Sequence, residues 1–170
     1  MPEKEIMTIF IKNKQTLQID EFKFRCCIGK KGTTINKKEG DKKTPKGMFG
    51  IENLYFRKDR IKKPRTSLKH VEIKNTMGWC DDVNFPKKYN KLIKVDKKLK
   101  HEKLKRKDCK YDLIIPVKYN FKKPITGHGS CIFIHLTNNY TPTAGCIALK
   151  KKDFLILLKL IKKNTKIKIT

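Results

Sequence analysis

Two residues near the C-terminal end of the chain, His135 and Cys146, have the types and the spacing needed for nucleophilic chemistry. His135 ends the apolar run of residues 131–134, and Cys146 directly follows Gly145, eleven positions after the histidine. This separation allows one strand to end, a loop to form and a second strand to begin beside the first. A thiol held next to an imidazole is the minimal nucleophile and base for acyl transfer. No other part of the chain has comparable chemical specificity.

Acyl transfer by a thiol also requires an exposed position at the end of an element and hydrogen-bond donors for an oxyanion. The segment of residues 143–146 meets these requirements. Gly145 permits a close backbone approach or a positive φ, and the N–H groups of Gly145 and Cys146 are candidates for the oxyanion site. No carboxylate is evident that would orient His135. We therefore expect a backbone carbonyl to hold its tautomer.

The length and the charge of the chain limit its class. A chain of 170 residues is long enough for a single domain with its own core. Lysine and arginine number 43 against 16 acidic residues, which gives a formal net charge of +27. The lysine-rich composition expected of an AT-rich genome is one explanation. Attraction to a polyanion, such as a cell-wall polymer, nucleic acid or anionic lipid, is the functional one, and the two are compatible.

The six cysteines do not form a metal-binding pattern. There is no C-x-x-C pair and no histidine at zinc-finger spacing from a cysteine, so we predict no structural metal site. Adjacent Cys26 and Cys27 would point to opposite faces of a strand, which suits packing in a core. Six thiols fit a reducing compartment, although they could also pair. The N-terminal residues contain no long apolar segment, so we expect neither a signal peptide nor a transmembrane helix.

The hydrophobic pattern predicts a mainly β domain over residues 1–170 with one or two helices. The predicted strands share alternating or continuous apolar residues and cover residues 6–11, 17–19, 21–28, 48–56, 111–119, 131–136, 147–149 and 166–169. The polar residues 57–110 are interpreted as a surface loop with a short helix around residues 98–107. Asp153 is the predicted N-cap of a helix that ends near Lys163. The apolar face of this helix comprises Phe154, Leu157, Leu158 and Ile161.

Trp79, Asp81 and Asp82 form a second group of candidate binding residues. An aromatic ring beside two carboxylates suits the binding of a sugar or of an amino group on a peptide. A packed turn capped by aspartate explains the same residues equally well. His128 lies between two glycines just before the strand of His135 and is a candidate for lining the cleft. Cys131 is on the same strand face as His135, and we expect it in the core.

The chain resembles the L,D-transpeptidase (YkuD-like) catalytic domain family, whose members carry a histidine on a strand followed by a Ser/Thr-x-Gly-Cys segment. Here His135 and Thr143 to Cys146 match that pattern. A compact branch of the family is similar in both its Gly-Ser-x-Ile-Phe-x-His strand and its Thr-Ala-Gly-Cys segment. The resemblance covers about residues 22–170, with further matching segments at residues 27–30, 39–41, 44–49, 78–82, 89–90, 111–113 and 119–120.

Two positions depart from the commonest family pattern. Ala144 stands where a histidine usually precedes the glycine of the nucleophile segment, and Ala148 stands where an arginine or asparagine usually follows the cysteine. The alanine at position 148 removes a candidate for substrate or oxyanion contact. The compact branch shares both changes, so they bear on the substrate more than on the pair of Cys146 and His135.

The resemblance implies a bent, sandwich-like β-sheet with a C-terminal helix packed on it, and a reaction on peptidoglycan. Cys146 would attack an L,D peptide bond of a donor stem peptide, and His135 would move the proton. The N–H groups of Gly145 and Cys146 would hold the oxyanion, and an amine of another stem would resolve the thioester. Thr143 joins the expected substrate-binding residues. Neither a metal nor an organic cofactor is required, and carbapenems are expected to acylate Cys146.

Two other functions remain open at the level of sequence. Water as the acceptor would make the protein an L,D-carboxypeptidase or another cysteine amidase. A non-catalytic basic module that binds an anionic polymer would need only the lysines; we expect no specific nucleic-acid partner. The implied chemistry belongs to the periplasm or cell envelope, whereas the absence of a visible export signal also permits a cytoplasmic location.

Overall fold

The computed structural model describes residues 6–170, which form fifteen strands and one helix. The first seven strands are β1 (Thr8–Lys12), β2 (Thr16–Ile19), β3 (Phe22–Cys27), β4 (Thr33–Thr34), β5 (Thr44–Pro45), β6 (Gly47–Gly50) and β7 (Leu54–Phe56). The middle of the chain forms β8 (His70–Glu72), β9 (Met77–Cys80), β10 (Leu92–Lys94), β11 (His101–Lys103) and β12 (Leu113–Pro116). The last part forms β13 (Phe133–Leu136), β14 (Ile147–Leu149), α1 (Lys151–Leu160) and β15 (Lys166–Ile169). The predicted mainly β fold class with a C-terminal helix is confirmed.

Ten strands form one curled sheet in the order β6-β15-β1-β2-β3-β14-β13-β12-β7-β8. The hairpin of β1 and β2 turns through Asn13 and Lys14, which both have positive φ values and so give the hairpin a tight turn. The alternating segment at the C-terminus adds β15 parallel to β1, as the sequence predicts. Both ends of the described chain therefore lie in the same part of the sheet.

The centre of this sheet consists of β12, β13 and β14, and its two faces differ. Ile134 and Leu136 of β13 and Ile147 and Leu149 of β14 belong to the larger hydrophobic core. Because side chains alternate along a strand, the residues between them point to the opposite face. Phe133 belongs to a second, smaller core cluster on that face. The central strands thus separate two differently composed regions.

Helix α1 covers the larger core with Phe154, Leu157 and Leu158, which are fully buried, as the sequence predicts. The predicted N-cap is wrong, because the cap residue is Lys150 and Asp153 lies in the first turn. A carboxylate in the first turn still favours the positive end of the helix dipole. The helix ends at Leu160, three residues earlier than predicted, because Ile161 turns to an extended conformation.

Residues 57–110 contain more regular structure than the sequence suggests. The predicted helix around residues 98–107 is wrong, since β11 lies there and pairs with β9, which also pairs with β10. Leu99 and Leu104 are both buried, and a spacing of five residues would place them on different faces of a helix. The three-stranded sheet β10-β9-β11 packs Trp79 and nearby Leu104 into the second core cluster.

Within residues 6–170, no helix has the length and apolar character needed to cross a membrane.

Candidate active site

The Cys146 thiol lies immediately before β14, on the face of the central strands that carries the second core cluster. The residue is only 9% exposed, whereas the sequence predicted an exposed thiol at the end of an element. Its Sγ accepts a hydrogen bond from the Phe133 N–H at 3.4 Å and donates one to the Cys131 carbonyl at 3.1 Å. Burial raises the pKa of Cys146 to about 12. The Cys146 thiol is therefore protonated near pH 7.

The His135 imidazole is held by its own strand. Its Nδ1 lies 2.8 Å from the Leu136 carbonyl, and a carbonyl only accepts, so Nδ1 carries the hydrogen and Nε2 has a free lone pair. This contact is the backbone partner that the sequence led us to expect. Burial is the main cause that lowers the pKa of His135 to about 4, and the nearby Lys110 and Arg106 lower it further. His135 is thus neutral near pH 7.

The register of two parallel strands brings the two side chains to one face. In the pairing of β13 with β14, Ile134 lies opposite Ile147 and His135 lies opposite Ala148. Cys146 lies two residues before Ala148, so it is diagonal to His135 on the same face of the sheet. Both residues line one cavity of about 460 Å³, to which Asp81 and Glu102 contribute from the region of the three-stranded sheet.

Gly145 occupies a position that other residues would not fit. Its φ is +146°, and a Cβ built on it would lie 2.9 Å from the Lys43 carbonyl oxygen. Its carbonyl accepts a hydrogen bond of 2.8 Å from the Thr44 hydroxyl, which links the nucleophile segment to β5. Glycine is therefore required here by backbone conformation and by space.

The hydrogen bonds of Thr143 change the expected layout of the oxyanion site. The Gly145 N–H, which the sequence assigned to an oxyanion, donates to the Thr143 hydroxyl at 3.1 Å. That hydroxyl in turn donates to the Cys146 carbonyl at 2.6 Å. Thr143 lies at the cavity, where the sequence predicted a substrate contact, but its hydroxyl is engaged in holding the nucleophile segment.

The predicted substrate-binding residues of the Trp79 cluster are not brought together at the cavity. Asp81 lines it. Trp79 is buried in the second core cluster, where its Nε1–H donates to Asn90 Oδ1 at 2.9 Å. Asp82 accepts hydrogen bonds from the backbone N–H groups of Asn84 and Lys100, both at 3.0 Å, so its carboxylate shapes a turn.

His128 lies outside the residues that line this cavity. Its side chain is exposed, and its carbonyl accepts a hydrogen bond of 2.6 Å from the Tyr119 hydroxyl. The structure instead places at the cavity several residues that the sequence did not single out as site residues, namely Glu39, Glu102, Arg106, Lys110, Tyr111 and Ser130. Glu39 and Tyr111 lie in segments that match the family resemblance, which is the signal that could have indicated them.

Tyr111 closes the cavity beside the histidine. Its ring packs against the His135 ring with centroids 5.4 Å apart, and the Arg106 guanidinium lies 5.0 Å from the Tyr111 centroid. Arg106 is also paired with Asp108 at 2.6 Å. A ring against one side of the imidazole restricts its rotation, and this adds to the hold of the Leu136 carbonyl.

The sequence model of the L,D-transpeptidase catalytic domain (YkuD) family matches residues 2–169 of this chain. The match covers nearly the whole sequence, and the chain therefore belongs to the L,D-transpeptidase catalytic-domain family. None of the curated proteins matches it.

Three solved structures are similar to this one. The helical cell shape determining protein Pgp2 from Campylobacter jejuni is 15% identical with a TM-score of 0.50, over 96% of this chain and 46% of that one. Bd1075 from Bdellovibrio bacteriovorus is 14% identical with a TM-score of 0.46, over 97% and 47%. L,D-transpeptidase 1 from Mycobacterium tuberculosis is 12% identical with a TM-score of 0.35, over 96% and 60%. The chain spans about half the length of the first two, and at this identity the likeness to Pgp2 concerns the fold.

Proposed function

We propose that this protein is an L,D-transpeptidase that transfers the acyl group of a peptidoglycan stem peptide through a thioester on Cys146. One observation carries the proposal: Cys146 and His135 lie on the same face of adjacent parallel strands and line the same cavity. Because the His135 Nδ1–H is bonded to the Leu136 carbonyl, Nε2 is the nitrogen that can accept a proton. This arrangement supplies a nucleophile and an oriented general base.

In the proposed acylation, Sγ of Cys146 attacks the carbonyl carbon of the L,D peptide bond while its proton moves to His135 Nε2. The carbonyl oxygen becomes an oxyanion, and we assign the Cys146 N–H as a donor to it, since the Gly145 N–H already has Thr143 as its acceptor. The C–N bond then breaks. The proton on Nε2 moves to the departing D-amino acid, and a thioester remains.

In the proposed second half, an amine of another stem attacks the thioester and gives a proton to His135 Nε2. The C–S bond breaks, the thiolate recovers that proton, and the two stems are joined by a new amide. Water in place of the amine would give a trimmed stem instead. All bonds and protons balance within the two residues and the two substrates.

The burial of both groups supports a general-base reaction over a preformed ion pair. The pKa of Cys146 is raised and that of His135 is lowered by the same dry environment, so both are neutral before substrate arrives. Proton transfer between them creates a thiolate and an imidazolium that stabilise one another. We therefore infer that nucleophile activation coincides with substrate binding.

The basic surface beside the cavity supports binding to an anionic partner. A groove of about 470 Å³ contains Lys14, Arg25, Lys30 and Lys31, and it shares Pro142 with the cavity of Cys146. A cationic groove attracts anionic polymers by long-range electrostatics. We propose an anionic cell-wall polymer as its partner and the cell envelope as the place of action.

The proposed function is tested by incubating the protein with a defined muropeptide and analysing the products by mass spectrometry, with Cys146→Ala as the control. Cross-linked dimers that depend on Cys146 are the expected result. Trimmed monomers without dimers would instead assign the carboxypeptidase reaction. If neither product forms and a carbapenem gives no covalent adduct on Cys146, the proposal is contradicted.

A further inference from the structure

The segment just before β13 has an unusual backbone conformation next to Cys146. Cys131 has a φ of +54°, in the left-handed region that a residue with a Cβ occupies only at a cost in free energy. In this conformation its carbonyl accepts the hydrogen bond of 3.1 Å from Cys146 Sγ. The place of Sγ at the cavity therefore depends on what holds the backbone of Cys131.

Asn90 holds this backbone from a distant part of the chain. Its Oδ1 accepts a hydrogen bond of 3.1 Å from the Cys131 N–H, across 41 positions of sequence. The Asn90 side chain is buried, and the residue is only 5% exposed. It lies outside the residues that line the cavity, whereas Cys131 is one of them. Any influence of Asn90 on the reaction therefore passes through Cys131.

The hydrogen-bonding capacity of the Asn90 amide is completely used. Besides the Cys131 N–H, its Oδ1 accepts the bond of 2.9 Å from Trp79 Nε1–H. Its Nδ2 donates to the carbonyls of Tyr119 and Asn120 at 3.2 and 2.7 Å. Only one orientation of the amide fits, because a flipped amide would set donors against donors. A side chain fixed in this way is a rigid support for the backbone that it holds.

The backbone of Asn90 is fixed as well. Its φ is 53°, in the left-handed region that asparagine tolerates better than most residues. Its N–H donates to the Cys80 carbonyl at 2.8 Å, and the Cys80 N–H donates to the Lys91 carbonyl at 2.9 Å. These bonds tie Asn90 to the end of β9. Asparagine thus supplies both the backbone conformation and the acceptor that this position requires.

Other side chains hold the residues directly before Cys131. The Gly129 N–H donates to the Tyr89 hydroxyl at 3.1 Å, and Ser130 Oγ donates to Glu39 Oε2 at 2.7 Å. These bonds fix the entry to the segment but do not include the N–H or the carbonyl of Cys131. The conformation of Cys131 itself is left to its own hydrogen bonds.

The residues after Cys131 are tied to the central sheet. The Ile132 carbonyl accepts a hydrogen bond of 2.8 Å from the Val117 N–H, and the Phe133 N–H donates to Cys146 Sγ at 3.4 Å. The sheet thus supplies one of the two backbone partners of Sγ. The other partner, the Cys131 carbonyl, lies outside the strands, and its direction follows from how the Cys131 N–H is held.

We propose that Asn90 is a positioning residue for the reaction, because it holds Cys131 in the left-handed conformation that places Cys146 Sγ for attack. This inference rests on the proposed function, in which Cys146 is the nucleophile. Asn90 does not line the cavity, so its loss should lower the rate of attack and leave the binding of the donor unchanged. A misplacement of an attacking atom by about 1 Å lowers a rate by about 100-fold.

The test follows formation of the thioester on Cys146 in single turnover, with a synthetic stem-peptide donor at several concentrations and intact-protein mass spectrometry. Asn90→Ala removes the acceptor of the Cys131 N–H. We expect the maximal rate of acylation to fall by about 10- to 100-fold. The donor concentration that gives half of this rate should change by less than about twofold.

Asn90→Asp separates positioning from stability. Aspartate tolerates the left-handed backbone and keeps an oxygen that accepts the Cys131 N–H, but it sets its second oxygen against two carbonyls. Its free energy of unfolding should therefore fall, while its maximal rate of acylation stays within about threefold of the wild-type value. A merely structural role would make both variants lose activity in step with stability, which urea denaturation measures.

Asn13→Ala is the matched control. It puts alanine at nearly the same left-handed φ, 52° against 53°, in the exposed turn between β1 and β2. It should keep the wild-type rate of acylation. Hydrogen exchange of the Cys131 N–H, measured by NMR in the wild-type protein, requires no variant to fold. We expect this N–H to exchange slowly, because its bond to Asn90 is buried.

The possible outcomes separate this inference from the function on which it rests. If the wild-type protein forms no thioester with the donor, the proposed function fails and the inference falls with it. If Asn90→Ala is acylated at the wild-type maximal rate, only the inference is overturned. It is also overturned if Asn90→Asp loses as much activity as Asn90→Ala, or if Asn90→Ala weakens donor binding alone. Exchange of the Cys131 N–H as fast as in an unfolded chain would contradict it as well.

Discussion

The two faces of the central strands β12, β13 and β14 differ in composition although they share the same backbone. On one face, residues such as Leu113, Ile134 and Ile147 are completely buried in the larger core beneath α1. On the other face, the same strands present His135 and Cys146 to a cavity with charged walls. One face contains only hydrocarbon, and the other contains the groups capable of chemistry.

This difference shows how the fold reconciles rigidity with reactivity. Apolar packing on the first face holds the strands in one register, and that register sets the position of His135 relative to Cys146. Burial on the second face keeps both groups neutral near pH 7. The reactive face can therefore carry unsatisfied polar groups because the other face supplies the stability.

The largest effect is expected from Cys146→Ala, which removes the nucleophile but leaves the apolar face intact. Turnover should fall below about 1% of the wild-type rate. The free energy of unfolding should change by only about 1 kcal/mol, since the thiol is a small member of the second cluster. Product analysis and urea denaturation measure the two effects. Cys109→Ser, outside the cavity, serves as the control. Retained turnover in Cys146→Ala would contradict the assignment of Cys146 as the nucleophile.

His135→Asn should lower the rate of Cys146 acylation by about two to four orders of magnitude, the usual contribution of a positioned general base. Asparagine keeps a polar side chain at this position but cannot accept the thiol proton. Mass spectrometry of samples quenched at successive times measures the rate at which the acyl-enzyme forms. The pH dependence of Cys146 alkylation should also change in the variant. An identical alkylation profile in both proteins would show that the pair is not coupled.

The third prediction concerns the cost of burying a neutral imidazole on the reactive face. The pKa of His135 falls from 6.5 to about 4 on folding, so between these pH values the unfolded state binds the proton and the folded state does not. The free energy of unfolding should therefore decrease as the pH falls through this window, by on the order of 3 kcal/mol from this group, with no contribution above it.

Urea denaturation of the wild-type protein and of His135→Asn at several pH values isolates this contribution. The difference in stability between the two proteins should shift in favour of the variant as the pH falls from 6.5 to 4. A constant difference across this range would mean that the imidazole is hydrated and not buried as described.

The smallest effect is expected from salt. Carbapenem acylation of Cys146 depends on local proton transfer at a buried site, so it should change by less than about twofold when salt rises from about 0.1 to 1 M. Binding of the basic groove to an anionic cell-wall polymer should weaken by at least about tenfold over the same range. Parallel losses of both would show that the lysines of the groove act within the site.

Short-range patterns explain which parts of the fold could be predicted. Alternation of apolar residues identified β15, and the apolar run before His135 identified β13. The same reasoning failed at residues 98–107, where the charged residues of β11 are held by pairing with β9 and not by burial of their side chains. The sequence also left Trp79 undecided between a binding residue and a packed turn, since a buried aromatic and an exposed one have the same sequence signal. Only the packing of Phe133 against the ring distinguishes them.

The sequence by itself indicated Cys146 and His135 as the candidate pair and determined the mainly β class, because these depend on residue type, on spacing and on periods of two along a strand. Only the tertiary structure decided that Gly145 bonds to Thr143, that the Cys146 thiol is buried, and that Glu39, Asp81 and Glu102 face one cavity. These last residues come from segments separated by about twenty residues or more. Their proximity follows from strand order and register, which are set by long-range packing and not by any local pattern.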